Sequence, residues 1–133
     1  MARILNPLAA RSRAKHSALA WILEAFERDA TYLHKRMFGC DAVYIEGNLC
    51  LVVADRDDPW NGVLVCTSQD RHAALIDDIP ALQPHPVLGK WLYVSQHDAA
   101  FEDATAAITA LILQRDPRIG VEPKPRTRRS KTR

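Results

Sequence analysis

No apolar run in this chain approaches the roughly 20 residues that cross a bilayer as a helix. A soluble protein with no membrane contact is therefore expected. The glycines Gly39, Gly47, Gly62, Gly89 and Gly120 each stand alone, so neither G-x-G-x-x-G nor G-x-x-x-x-G-K-S/T is present and no loop of that kind cradles a phosphate. Cysteine is scarce as well. Cys40, Cys50 and Cys66 are an odd set whose spacings suit neither a disulfide framework nor a CxxC pair, which points to a reducing, cytoplasmic setting.

Catalytic signatures are missing in the same way. There is no H-E-x-x-H and no G-x-S-x-G elbow. His16, His34, His72, His85 and His97 show no zinc spacing with the cysteines and read as surface histidines. Asp55 and Asp57 imitate the first and third positions of a calcium loop, but Pro59, Trp60 and Cys66 stand where a ligand, a glycine and the bidentate glutamate belong. That stretch reads as a solvated turn. Ser17, Ser68 and Ser95 each lie near a histidine and have capping or strand roles that need no catalysis. Cys50 reads as core, and Cys40, beside Gly39, as the most accessible thiol. The expectation is a protein that is not an enzyme and holds no cofactor or metal.

What is present is a sharply segregated charge. The formal total is +2, yet residues 16 to 121 hold eight Lys and Arg against fifteen Asp and Glu. The cations concentrate at the ends: Arg3, Arg11, Arg13 and Lys15 at one, and Lys124, Arg126, Arg128, Arg129, Lys131 and Arg133 at the other. Residues 1–16 read as a loose basic leader, since Asn6 and Pro7 break their apolar stretch. Residues 17–120 read as one domain, and 121–133 as a disordered basic tail available for nonspecific nucleic-acid contact. A length of 133 residues lets a single domain bury roughly two-thirds of its extended-chain surface.

Periodicity supplies the elements. Leu19, Ile22, Leu23, Phe26, Ala30, Leu33 and Met37 recur at steps of three and four, predicting a helix over 18–37. "AVYIE" and "LCLVVAD" flank Gly47-Asn48 and predict a hairpin with Val43, Ile45, Cys50 and Val52 on one apolar face. "VLVCT" follows as a third strand, a short helix runs to about Ile79, prolines interrupt, and "KWLYVSQ" is a fourth strand beginning near Lys90. Phe101, Ala104, Thr105, Ile108, Leu111 and Ile112 stripe a last helix. The fold class expected is α+β, a four-stranded, mainly antiparallel sheet with helices packed on it, in the order α-β-β-β-α-β-α.

Lys35, Arg36, Met37, Phe38 and Gly39, then Tyr44, Gly47 and Leu51, then Gly89, Lys90 and Trp91 stand in an order and separation similar to the N-terminal domain of the TfoX/Sxy family of bacterial competence regulators and its single-domain relatives. The likeness spans about residues 17 to 113. Cys40 replaces a second glycine, "DRDDPWNG" is longer than the usual connection, "QPHP" is unusual before the Gly-x-Trp strand, and the residues after 113 are expected to be too few for the C-terminal domain of the longer regulators. The resemblance implies a small non-enzymatic regulatory or adaptor domain that acts by protein contact, with transcription machinery as the partner class. Met37 and Phe38 are expected to plug the core between the first helix and the sheet. A direct nucleic-acid-binding module and a small-ligand binder or enzyme with a cleft near Tyr44, Trp60 and Trp91 are the other readings. An unpaired outer strand leaves a homodimer open.

Overall fold

The computed structural model of the chain describes residues 19–123. The expected leader, Ser17 and the six tail cations from Lys124 onward lie outside the described residues. The described elements are α1 (Ala20–Glu24), β1 (Leu33–Met37), β2 (Cys40–Ile45), β3 (Asn48–Asp55), β4 (Asn61–Val65), a 3-10 turn (Gln69–Arg71), α2 (His72–Asp78), β5 (Gln83–Pro84), β6 (Leu92–Ser95) and α3 (Phe101–Leu113). The architecture is α+β with a wholly antiparallel sheet, in the spatial order β1-β2-β3-β4-β6-β5. Six strands replace the expected four, and the helix order differs accordingly. No helix of the described residues is long and apolar enough to cross a membrane.

The two extra strands have separate causes. The helix expected over 18–37 stops at Glu24, and tight turns carry the chain on to Asp29. There the Asp29 carboxylate accepts hydrogen bonds from both the backbone N–H and the hydroxyl of Thr31. A side chain that bonds its own backbone two residues on gives the chain an alternative to helix. Leu33–Met37 then pairs with β2, from Leu33 opposite Tyr44 to Met37 opposite Cys40. At the other edge, Gln83 and Pro84 pair with Tyr93 and Leu92 despite the neighbouring prolines. Proline is tolerated there because β5 is an edge and its missing N–H faces no partner strand.

The hairpin forms one residue away from its expected register. Glu46 and Gly47, at φ of +52° and +83°, make the two-residue turn, and Ile45 faces Asn48. Positive φ at both central positions is the mark of a primed hairpin turn. Tyr44 then faces Leu49 while Val43 faces Leu51, so a bulge leaves Cys50 as the extra residue. One extra residue reverses the alternation of everything beyond it. Val43, Ile45, Cys50, Leu51 and Val53 consequently share the face beneath the helices, whereas Val52, expected with them, joins Ala42, Tyr44, Leu49 and Ala54 on the opposite face.

The helix-covered face is the larger core. Phe26, Leu75, Ile108 and Leu92 are fully buried in it, and each such side chain contributes roughly 1.5–3 kcal/mol relative to exposure. Phe101, Ala104, Thr105, Ile108 and Ile112 are the buried stripe of α3. After α3 the chain turns at Arg115, which sits at φ +62° and reaches both Asp29 (2.7 Å) and Glu46 (2.8 Å). One guanidinium thus ties the end of the last helix to the start of β1 and to the β2–β3 turn. The Arg115 hydrogen bonds, with help from Thr31, hold the Asp29 carboxyl well below its usual range.

A carboxyl whose folded-state pKa is depressed stabilises the fold above its unfolded pKa, and that contribution is lost as pH falls through the folded value. Stability of the protein should therefore decline from about pH 5 to about pH 2. Arg115→Ala should flatten part of that decline, as read from denaturant midpoints across the series.

Candidate functional site

Among the described residues, no helix packs on the second face of the sheet. Ala42, Tyr44, Leu49, Val52, Ala54, Leu64, Cys66 and Tyr93 form its buried floor, with Met37, Trp60, Leu88, Trp91 and Val121 packed around them. The residues between β5 and β6 form a strap over one end, and His85 fastens it. His85 is 2% exposed, against the surface position expected from sequence. Its Nε2 donates to the Pro59 carbonyl at 2.7 Å, and its Nδ1 accepts from the backbone N–H groups of Val87 (3.1 Å) and Leu88 (2.9 Å). Those partners define a neutral ring with its proton on Nε2. The ring also packs between Trp60 and Tyr93, at centroid distances of 4.5 and 5.1 Å.

Beyond the strap the apolar floor opens into a cleft of about 1040 Å³, bounded by β1, the strap and the chain around Val121. The residues that carry the family resemblance converge here. Lys35, Met37, Phe38, Gly89 and Trp91 all line it, together with Tyr44. Gly47, in the β2–β3 turn, does not, nor do Arg36 and Gly39. Lys90, also part of that set, lines the cleft, as do Val87 and Leu88, which the sequence reading did not single out; the apolar Val-Leu step inside an otherwise Pro-marked loop is the signal for them. The N-terminal part of the expected tail also reaches the cleft: Val121 exchanges two backbone hydrogen bonds with Leu49, both 2.9 Å.

Phe38 departs furthest from expectation. It does not plug the core between α1 and the sheet. It is 57% exposed, at φ +57°, and forms with Gly39 (φ +76°) the primed turn between β1 and β2. Arg56 Nη1 donates to the Phe38 carbonyl at 3.0 Å, and Arg36 Nη2 to the Gly39 carbonyl at 2.7 Å. The ring leans toward Trp60, 6.1 Å between centroids, and separates the cleft from a second hollow of about 590 Å³ bordered by Arg56, Asp57 and Asp58. Met37 is half-buried against the outer floor.

Charge on this side contrasts with the acidic body. Lys35 Nζ lies 5.2 Å from the centre of the Tyr44 ring, and among the described residues neither Lys35 nor Lys90 forms an ion pair with a carboxylate. Arg36 is different: with His34 it meets the buried Asp41, at 2.8 and 2.7 Å, on the opposite face of the β1–β2 hairpin.

Little on the cleft wall is poised for chemistry. The Thr67 hydroxyl donates to the Arg118 carbonyl (2.6 Å) and that of Ser68 to Asp70 (2.6 Å). All three cysteines are free and buried, including Cys40, and burial pushes each thiol up from its ordinary value, Cys66 furthest. Neutral thiols are weak nucleophiles. Among the described residues no three His, Cys, Asp or Glu stand together as a metal site. Comparison with protein-family models, curated proteins and solved structures finds no match to this chain.

His85→Leu keeps bulk and removes all three hydrogen bonds, leaving the Val87 and Leu88 N–H groups without their acceptor. A loss of about 2–4 kcal/mol is expected, with faster amide exchange concentrated at Val87 and Leu88.

Proposed function

We propose that this chain is a small regulatory or adaptor domain, similar to the TfoX N-terminal domain, that works without catalysis by docking a protein partner on the outer face of its sheet. Phe38 carries the reading. At φ +57° a turn position suits Asn or Gly, and a ring 57% exposed adds little to the core. Local folding preference favours a small residue there. A projecting aromatic on a strained turn, at the mouth of an apolar cleft and beside an arginine, has the make-up of an interface hot spot. Transcription machinery is the partner class that the resemblance implies, and a cytoplasmic setting agrees with three free thiols. Homodimerisation is not needed for this role.

The small-ligand or enzyme reading draws support from the cleft beside Tyr44 and Trp91. It is the weaker one, because the Thr67 and Ser68 hydroxyls already donate elsewhere. Direct nucleic-acid binding has one specific observation in its favour, six cations within residues 124 to 133. The net acidity of residues 16 to 121 works against a broad phosphate-binding face, so nucleic-acid contact is assigned to the tail as a secondary, nonspecific activity.

Phe38→Asn tests the main reading by separating fold from contact. The variant should unfold at an equal or higher denaturant midpoint, gaining up to about 1 kcal/mol. In affinity capture from native extract it should lose the proteins that the unaltered chain retains. An unchanged set of captured proteins defeats the reading. For the tail, DNA and RNA shift assays should give a log-log salt slope near ~5, a roughly thousandfold fall between about 50 and about 200 mM salt. Binding that survives deletion of residues 124–133 removes the tail from the account.

A further inference from the structure

The two edges of the sheet are treated differently. The β5 edge is two residues long and includes Pro84, a design that blocks further pairing. The β1 edge is five residues long with no proline, and among the described residues it pairs only with β2. Because Met37 and Cys40 flank a two-residue turn, the pairs at Met37, Lys35 and Leu33 are the hydrogen-bonded ones. The N–H and C=O groups of His34 and Arg36 therefore point away from β2, toward a side on which no strand of the described residues pairs. On the outer face the same strand displays Leu33, which is 50% exposed, then Lys35 and Met37, the last two lining the cleft.

Charge selects among the strands that could pair there. A second copy joining antiparallel at the centre of this edge would set Lys35 directly opposite Lys35, a like-charge pair. A strand with apolar residues opposite Leu33 and Met37 and a carboxylate opposite Lys35 meets complementary chemistry at every outer position. We infer that β1 receives an extended peptide segment of the partner, of pattern apolar-x-acidic-x-apolar, as a seventh strand whose outer side chains continue the apolar face into the cleft. The inference rests on the contact reading above and names the partner's chemistry. Phe38, at the end of β1, then brackets one end of the added strand. The backbone of β1 supplies the hydrogen bonds, while Lys35 and the cleft supply the preference.

The test uses the full chain, with backbone amides followed by NMR during titration with the blocked heptapeptide Ser-Leu-Thr-Glu-Thr-Leu-Ser. Saturable shifts over β1 and slowed exchange at the His34 and Arg36 N–H groups are expected. Replacing the peptide's Glu by Lys should weaken binding roughly fivefold or more, and N-methylation of its two Thr residues should abolish it. Lys35→Glu, an exposed change, should reverse the preference so that the Lys peptide binds better. Shifts centred elsewhere, indifference to N-methylation, or an unreversed preference in Lys35→Glu each overturn strand addition. If the peptides fail while Phe38→Asn still releases captured proteins, only strand addition falls. If Phe38→Asn releases nothing, the contact reading falls whatever the peptides do.

Discussion

A sheet that is apolar on both faces needs two coverings, and among the described residues the helices cover one. α1, α2 and α3 lie against the Val43–Val53 side, so the floor built from Ala42, Tyr44, Leu64 and Tyr93 has to be closed by loops. His85 makes that closure hold. A neutral imidazole donating to one connection and accepting twice from another joins two loops without a buried charge, and tilted and edge-on ring contacts with Trp60 and Tyr93 seal the joint. Where the strap ends, the described residues leave the floor uncovered, and the cleft lies there.

The candidate docking face follows from that incomplete closure together with two turns. Both the Phe38-Gly39 and Glu46-Gly47 turns put a residue with a Cβ at positive φ, and each has support nearby. Arg115 holds Glu46 from the end of α3, while Arg56 and Arg36 grip the carbonyls of the Phe38-Gly39 turn. Glu46 thereby serves the fold, as a partner for a guanidinium. Phe38 receives the same backbone support and spends its side chain on solvent, which is why the contact reading centres on it.

Electrostatics divide the molecule along the same line. Arg115 and Arg118 are paired with the carboxylates of Asp29, Glu46, Asp78 and Asp116, binding the last helix and its following turn to the rest. Lys35 and Lys90 are left to the cleft and, among the described residues, lack such partners. Two lysines against the one carboxylate of Glu122 give the cleft lining a cationic balance within an acidic body.

By itself the amino-acid sequence determined the α+β class with an antiparallel sheet, strands near 42–46, 49–55 and 63–67 that form at 40–45, 48–55 and 61–65, the last helix and the burial of Cys50, because each depends on local alternation or helical spacing of apolar residues. It also marked Met37, Phe38, Gly89 and Trp91 as a set, without revealing what gathers them. Only the tertiary structure decided that 33–37 is a strand, since its pairing with β2 outweighed a weak helical period once Asp29 had turned the chain. The bulge at Cys50 sent Val52 to the far side, a reversal that no alternation pattern announces because one extra residue leaves the composition unchanged. The exposure of Phe38, the burial of His85 and the cleft depend on contacts between segments distant in the chain, such as His85 with Pro59 and Leu49 with Val121. Those contacts exist only after the sheet has closed on one face and, among the described residues, been left open on the other.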